Sequence, residues 1–240
     1  MANSIYKKVY NLRGSDFNRF LEIKPSAVLD LFQDIAGIHA VDLGSGFHAM
    51  LERGFLWVVM KVKYEIIKMP TMYQIVNVVT WPKEPHRLDF ERDYLILNEQ
   101  DEVLIKGTSQ WVLINSDTRK IARVTNVYDQ IDEFCHDNTF EEKIVRIQDF
   151  NEVTPATRVT SGFSELDSNG HVNNTRYADY VINAINPKEP MNIKVFQLDF
   201  HKEIMCGNDT DIFVEEKENV IYTKGMQNEN IMFSCRMEKN

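Results

Sequence analysis

Apolar side chains recur at helical spacing near the start of the chain. Between Ser26 and Val41 they fall on one face of a helix, with acidic and amide residues opposite, and Pro25 suits its start. The members of this apolar face are Val28, Leu31, Phe32, Ile35 and Ile38. Strand-like segments rich in β-branched and aromatic residues follow at 55–67, 73–81, 87–98 and 103–114. This half of the chain therefore predicts one helix followed by an antiparallel sheet.

The second half of the chain repeats this plan. A strand near 157–163 precedes a helix from about Asn174 to Ile185, which Pro187 ends. Four further strands are predicted at 193–204, 211–216, 220–226 and 231–237. The repetition predicts an internal duplication of one supersecondary plan.

One long helix wrapped by an antiparallel sheet is the hotdog architecture. Two copies predict an α+β chain, a tandem double hotdog with two long helices each wrapped by an antiparallel sheet and the sheets paired within the chain. The charged, turn-rich segment 136–155 separates the copies, so we expect domains at 1–140 and 150–240. A generic α+β pair of unrelated subdomains is the alternative. A tandem pair already satisfies the pairing that single hotdog proteins achieve by dimerising, so a monomer and a homodimer are both compatible.

Length and composition are those of an ordinary globular protein. The chain has 240 residues, 43% of them hydrophobic, enough to bury one large or two modest cores. Its cysteines are odd in number, widely spaced and without a CxxC pair, which favours a reducing cytoplasm over a disulfide framework or zinc site. They are Cys135, Cys206 and Cys235. The N-terminal segment has no apolar h-region and no apolar run approaches the ~20 residues that span a bilayer, so we expect a cytoplasmic protein.

The formal net charge of −9 argues against nucleic acid and anionic membranes as partners, because both require a basic surface. An acidic protein partner would need a local basic patch. The candidates for such a patch are Lys61, Lys63, Arg87, Arg92, Arg119, Lys120 and Arg123. Histidines 39, 48, 86 and 136 show no metal-ligand spacing, so we expect neither a metal nor a cofactor.

A carboxylate, an amide and an imidazole occupy five positions immediately before the second predicted helix. They belong to Asp167, Asn169 and His171. The unsatisfied backbone N–H groups of a first helical turn suit a developing oxyanion, and His171 with Asp167 would supply proton transfer beside it. Asn and Asp also collect at helix N-caps for structural reasons, so a capped loop with Asn173 or Asn174 as the cap fits the same residues.

The run Asp167-x-Asn169-x-His171-Val-Asn-Asn-x-x-Tyr177 resembles the signature of acyl-(acyl carrier protein) thioesterases. These are double-hotdog enzymes that end fatty acid synthesis by releasing the acyl chain, and the likeness covers nearly the whole chain. The resemblance implies a fatty acyl chain on acyl carrier protein as substrate and partner. It also implies that the first hotdog supplies the acyl-chain pocket and the second supplies the catalytic residues.

In that family a glutamate on the strand after the second helix completes the site. Residues 198–203 match that strand, so the resemblance places this residue at Glu203. Overlaying residues 62–67 on residues 198–203 aligns aromatic with aromatic and apolar with apolar, as expected for two copies of one plan. Plant members often carry a cysteine directly after it, but here the neighbour is Ile204, which excludes a thiol nucleophile at that position. Cys206 is not expected to replace it.

The first copy has Ile67 where the second has Glu203, and residues 21–25 before its helix hold no Asp, Asn and His cluster. One active site per chain is therefore expected. The apolar face of the first helix would then be free to line an acyl-chain tunnel, with ordinary core packing as the alternative. The residues proposed for the tunnel are Val28, Leu31, Phe32 and Ile35.

Hydrolysis of a thioester needs an activated water and stabilisation of an oxyanion. We expect Glu203 with His171 to activate the water, and Asp167 to fix the imidazole or position the water. We expect the thioester carbonyl to be held by Asn169 and by a backbone N–H near Val172 or Asn173. A covalent acyl-enzyme through a carboxylate is a further route.

Strand alternation raises a difficulty for Glu203. It shares a strand face with Asp199 and His201, while Phe200 and Ile204 point the other way. Glu203 therefore reaches the site only if it sits at a strand end or a bulge.

Three functions are alternatives to hydrolysis of an acyl-(acyl carrier protein) thioester. A hotdog acyl-CoA thioesterase has the same chemistry with a nucleotide handle on the substrate. A hotdog hydratase or dehydratase also pairs a histidine with a carboxylate, and a non-enzymatic acyl-binding module would need no residue like Glu203.

Overall fold

The structure is a computed structural model that describes residues 4–240, so residues 1–3 of the predicted first domain lie outside the described part. The helices are α1 (Pro25–Asp42), α2 (Phe47–Glu52) and α3 (Arg176–Ile185). The strands of the first half are β1 (Tyr6–Asn11), β2 (Phe55–Ile66), β3 (Ile75–Pro82), β4 (Asp89–Leu97) and β5 (Val103–Asn115). Those of the second half are β6 (Thr157–Thr160), β7 (Ile193–Phe200), β8 (Asp209–Lys217), β9 (Val220–Gln227) and β10 (Asn230–Lys239).

The chain divides into two compact units with the same topology. Unit 1 runs up to Gly14 and from Asp30 to Ile144, and unit 2 contains Ser15–Leu29 and Val145–Asn240. Neighbouring strands are antiparallel and follow the order β1-β3-β4-β5-β2 in unit 1. The order in unit 2 is β6-β8-β9-β10-β7, which is the same plan with each strand replaced by its counterpart. The predicted internal duplication is therefore confirmed.

In unit 1 the aromatic side chain of Phe32 joins α1 to the sheet. Its ring stacks on Tyr94 with centroids 4.3 Å apart and meets Tyr64 edge-on at 6.4 Å. Gly107 on β5 makes room for it, because a Cβ at that position would lie 2.3 Å from a carbon of the Phe32 ring. The close approach of ring and backbone fixes the distance between helix and sheet.

Unit 2 also packs an aromatic residue of its helix against its sheet, but there the glycine makes room for a strand residue. Tyr177 on α3 packs edge-on against Phe233 at 5.0 Å and against Phe200 at 5.5 Å. Gly225 on β9 lies under the Phe233 ring, where a Cβ would come within 2.1 Å of a ring carbon. Each unit therefore packs an aromatic residue of its helix against aromatic residues of its own sheet.

Residues 15–29 belong to unit 2, although the predicted boundaries of 1–140 and 150–240 assign them to the first domain. The carboxylate of Glu22 accepts hydrogen bonds from the backbone N–H groups of Met191, at 3.1 Å, and Asn192, at 2.7 Å. The guanidinium of Arg19 donates to the carbonyl of Pro187 at 3.0 Å. These polar contacts attach the segment before α1 to the segment before β7.

Replacing Glu22 by alanine should destabilise unit 2. The side chain is 8% exposed, and its loss leaves two backbone donors and the Asn18 amide without their acceptor. Hydrogen bonds to a charged group contribute about 1.5–3 kcal/mol each, and partial rehydration recovers some of this, so we expect a loss of about 2–3 kcal/mol. Urea unfolding of Glu22→Ala measures it, with the exposed Glu189→Ala as the control. Equal midpoints for the two variants would contradict the anchoring role.

Some elements differ from the prediction. Strand β1 and helix α2 were not predicted from the sequence, and β7 ends at Phe200, four residues before the predicted end at 204. Arg92, proposed for a basic patch, is wrong for that role because it is 5% exposed and its guanidinium contacts the ring of His39 at 3.0 Å. Among residues 4–240, no helix is long and apolar enough to cross a membrane.

Candidate active site

The loop before α3 is organised by the side chain of Asp167. Its Oδ1 accepts hydrogen bonds from the backbone N–H groups of Asn169, at 2.8 Å, and His171, at 3.2 Å. Its Oδ2 accepts a longer bond of 3.4 Å from the carboxamide of Asn169. Gly170 completes the turn with a positive φ of 80°, a conformation that glycine adopts without strain. Asp167 thereby holds both of the polar residues that follow it in the motif.

The imidazole of His171 meets the carboxylate of Glu203. The His171 Nε2 and Glu203 Oε2 atoms are 3.3 Å apart, and the two side chains are 19% and 44% exposed. An isolated β-bridge between His171 and Met205 brings the two chain segments together. The pair is close enough to share a proton and open enough to reach a substrate, so the two residues placed together by sequence alone are neighbours in space.

Glu203 reaches this position because β7 has already ended. The backbone N–H of Ile204 donates to the phenolic oxygen of Tyr177 at 3.2 Å, and its carbonyl accepts from the N–H of Val172 at 2.9 Å. These bonds fix the segment after the strand against α3 and the site loop. Glu203 therefore reaches the site from beyond the end of β7. A strand end was one of the two arrangements that would let Glu203 leave the strand face it shares with Asp199 and His201.

The sequence did not indicate that Tyr177 positions the segment after β7. It was interpreted only as a core residue of the second helix and as part of the motif. It is 2% exposed, and burial raises its pKa well above the ordinary value for tyrosine, an effect to which the charges of Glu203 and Asp167 add. The phenol therefore stays neutral and continues to accept the Ile204 hydrogen bond. A tyrosine in the first turn of a helix behind an Asp, Asn and His cluster was the available signal.

The backbone donors expected to hold the carbonyl are occupied. Val172 donates to Ile204, and the N–H of Asn173 donates to the carbonyl of Glu165 at 2.8 Å. The side-chain oxygen of Asn173 accepts from the N–H of Thr175 at 3.0 Å, so this residue organises the entry to α3. Neither of the two amides is free for a substrate, and the expectation was wrong at those positions.

The residues proposed to line an acyl tunnel lie on α1. Val28 and Ile35 are fully buried, Phe32 is 3% exposed, and Leu31 is partly exposed. The contacts of Phe32 with Tyr94 and Tyr64 are those of a core residue.

Cys206 is an exposed free thiol three residues after Glu203. Cys206→Ser should leave kcat/KM close to the wild-type value, because the thiol has no role in the proposed mechanism. The stability should also change little, since surface substitutions usually change it by less than about 0.5 kcal/mol. Steady-state thioester hydrolysis and a thermal melt of the purified variant measure both effects. A large loss of turnover with an unchanged melt would identify the thiol as a participant.

Among the described residues, one group could hold a metal ion. His86 lies in the β3–β4 connection and Asp89 and Glu91 lie on β4, with one ligand atom of each within 4.8 Å of the others. Histidine spacing does not reveal this group, because two of its members are carboxylates. The Asp89 carboxylate accepts a hydrogen bond from Gln110 at 3.0 Å, and the three residues are exposed or partly exposed.

Two solved structures define the fold class. The chain superposes on an acyl-ACP thioesterase from Bacteroides thetaiotaomicron with a TM-score of 0.86 at 24% identity, covering 98% of this chain and 97% of that one. It superposes equally well, with a TM-score of 0.86 at 21% identity, on the 12:0-ACP thioesterase from Umbellularia californica, covering 99% and 98% of the two chains. The fold is therefore a tandem double hotdog, as the sequence predicted.

Family models then identify the family. Residues 3–131 match the N-terminal domain of the acyl-ACP thioesterases and residues 150–239 match the C-terminal domain, so the chain belongs to the acyl-ACP thioesterase family. Relatives include an oleoyl-acyl carrier protein thioesterase from Coriandrum sativum, 30% identical over 76% of this chain, and a second from Arabidopsis thaliana, 28% identical over 91%. The matches span 54% and 65% of these relatives' lengths.

Proposed function

We propose that this protein hydrolyses the thioester of fatty acyl-(acyl carrier protein), releasing a free fatty acid and the carrier protein with its thiol, as a step in fatty acid biosynthesis. The contact between His171 and Glu203, beside the carboxamide of Asn169, is the observation that carries the proposal. It supplies a proton-accepting pair and a hydrogen-bond donor in a chain whose family is named for this reaction.

The pair of Glu203 and His171 acts on the attacking water. A carboxylate in contact with an imidazole nitrogen takes up the proton that the water loses as its oxygen attacks the thioester carbon. The carbon–sulfur bond of the tetrahedral intermediate then breaks, and the pair returns the proton to the departing sulfur. A thiolate leaves readily, so no further acid is needed. The acyl group ends as a carboxylic acid, and the enzyme returns to its starting state.

Asn169 stabilises the oxyanion. Its carboxamide has two N–H bonds, and the long contact to Asp167 engages one of them, which leaves the other for the carbonyl oxygen of the thioester. Removing a donor of this kind typically costs about 10²- to 10³-fold in kcat.

The partner and location follow from the same proposal. Acyl carrier protein delivers the acyl chain, and Arg119, Lys120 and Arg123 are exposed basic residues that an acidic partner could contact. The cysteines are free, which supports a reducing compartment such as the cytoplasm. The apolar face of α1 is proposed to contribute to the acyl-chain pocket of the N-terminal domain, with Leu31 and Ile38 as its partly exposed members.

Thiol release from matched acyl carrier protein and CoA thioesters of medium and long chain length tests the proposal. Release that is faster from the carrier-protein series and lost in His171→Ala supports it and gives the chain-length preference. Preference for the CoA series would identify an acyl-CoA thioesterase. No release from either series would favour an acyl-binding module. In a separate measurement, light scattering of the same sample distinguishes a monomer from a homodimer.

A further inference from the structure

The loop before α1 repeats the hydrogen bonds of the site loop, although no site residue recurs at its corresponding position. The N–H of Asn18 donates to the carbonyl of Glu22 at 2.9 Å, and its carbonyl accepts from the N–H of Leu21 at 3.0 Å. The Asn18 Oδ1 accepts from the N–H groups of Phe20, at 2.8 Å, and Glu22, at 3.1 Å. The Asn18 side-chain oxygen therefore accepts hydrogen bonds from the backbone N–H groups two and four residues after it.

The site loop has each of these bonds at the corresponding position. The N–H of Asp167 donates to the carbonyl of His171 at 2.7 Å, and its carbonyl accepts from the N–H of Gly170 at 3.1 Å. Its Oδ1 accepts from the N–H groups of Asn169 and His171. Asp167 therefore corresponds to Asn18, and His171 corresponds to Glu22.

The flanking backbone extends the correspondence. An isolated bridge joins Leu166 to Val172 in the site loop and Phe17 to Ile23 in the first loop. The residue before the histidine position has a positive φ in both, 80° at Gly170 and 63° for leucine in the first loop. A left-handed backbone conformation costs a leucine roughly 1–2 kcal/mol of conformational free energy. The hydrogen bonds to the Asn18 side-chain oxygen and the Phe17–Ile23 bridge therefore determine the loop conformation against this preference.

The organising side chain is a neutral amide in the first loop and a carboxylate in the site loop. Asn18 lies beside the carboxylate of Glu22, to which its amide donates at 3.1 Å, and an aspartate there would place two anions together. Asp167 lies beside the backbone of a histidine and has no such conflict. The first loop shows that an amide oxygen is sufficient to form this turn.

The contacts of Asp167 are consistent with the same task. Within residues 4–240, its carboxylate bonds to the backbone of Asn169 and His171 and to the Asn169 carboxamide, and none of these partners is the imidazole ring. We infer that Asp167 is a positioning residue, which aims Asn169 and His171 through the turn that it closes and takes no proton during turnover. This inference rests on the proposed thioesterase function and replaces the two roles that the sequence suggested for Asp167.

The test compares Asp167→Asn with Asp167→Ala in the full-length protein. The asparagine keeps both bonds to backbone N–H groups and loses only the long one to Asn169, so kcat should fall by less than about fivefold. The alanine opens the turn and should lower kcat by about 10- to 100-fold, because small displacements of reacting groups are costly. The pH dependence of kcat/KM should be the same for Asp167→Asn and wild type.

Hydrogen exchange of peptides covering residues 162–176 supplies a readout that does not depend on activity. We expect wild-type protection in Asp167→Asn and faster exchange in Asp167→Ala. Asn18→Ala is the matched control: it should raise exchange in the first loop and leave kcat unchanged.

Each outcome has a distinct meaning. An Asp167→Asn variant that is protected like wild type, yet as slow as Asp167→Ala or shifted in its pH profile, would show that the carboxylate charge is needed and would overturn the inference. Equal exchange in all three proteins would also overturn it. A wild-type protein that hydrolyses no thioester would refute the proposed function, while the exchange experiment would still decide whether Asp167 closes the turn.

Discussion

His171→Ala and Glu203→Gln should each lower kcat/KM for thioester hydrolysis by roughly 10²- to 10⁴-fold, the usual cost of losing a positioned acid or base. The two side chains are 3.3 Å apart, so either change leaves its partner without the group that shares the proton. Because the residues act as one unit, the double variant should be little slower than the slower single one. Thiol release under single-turnover conditions measures the chemical step directly.

The controls for this experiment replace the same residue types elsewhere. His48 and Glu229 are exposed, so His48→Ala and Glu229→Gln should retain wild-type rates. Both site variants should unfold at the wild-type urea midpoint, since the site side chains are partly solvated. A near-wild-type rate in either site variant would remove that residue from the mechanism.

Phe32→Ala should destabilise unit 1 by about 3–5 kcal/mol, the range for truncating a buried phenylalanine. The ring stacks on Tyr94 and fills the space above Gly107, so its removal leaves a cavity between α1 and the sheet. Urea unfolding monitored by tryptophan fluorescence measures the change. Phe163→Ala is the control, because that ring is 86% exposed.

The Phe32→Ala variant also shows whether Phe32 is a core residue or a lining residue of the acyl-chain tunnel. A core residue gives a large loss of stability and an unchanged ranking of acyl chain lengths by the folded protein. A tunnel residue gives a shift of preference toward longer chains with little loss of stability. The second result would support the pocket assignment made from the family resemblance and would contradict the packing argument.

The sequence was sufficient to predict the elements whose patterns are long. The 18-residue α1 and the long strands β2 and β5 show their periodicity over many positions. Helix α2 has six residues, too few to establish a helical period, and its Met50 is buried only through tertiary packing. Strand β1 alternates partly buried and exposed residues, none of them fully buried, and depends on pairing with β3.

The sequence nominated a set of candidate site residues but not their geometry. The family resemblance nominated Glu203, whereas its position past the strand end depends on Tyr177 and Val172 holding Ile204. The equivalence of the two loops was invisible in the sequence, because Asn18 and Asp167 share a hydrogen-bond pattern while Glu22 and His171 share no chemistry. Backbone conformation carries that relationship, and one sequence does not display it.

The contacts of Glu22 bear on how the polypeptide is made and how it can be cut. The carboxylate and its backbone donors lie 169 and 170 residues apart along the chain, so the segment 15–29 leaves the ribosome long before Met191 and Asn192. Unit 1 has all of its residues once 144 is synthesised, whereas unit 2 must wait for nearly the whole chain. A fragment that begins at residue 150, where the C-terminal family match starts, omits the segment that holds Met191 and Asn192. We therefore expect such a half to be less stable than unit 2 of the whole chain, and to gain stability when residues 15–29 are supplied as a separate peptide.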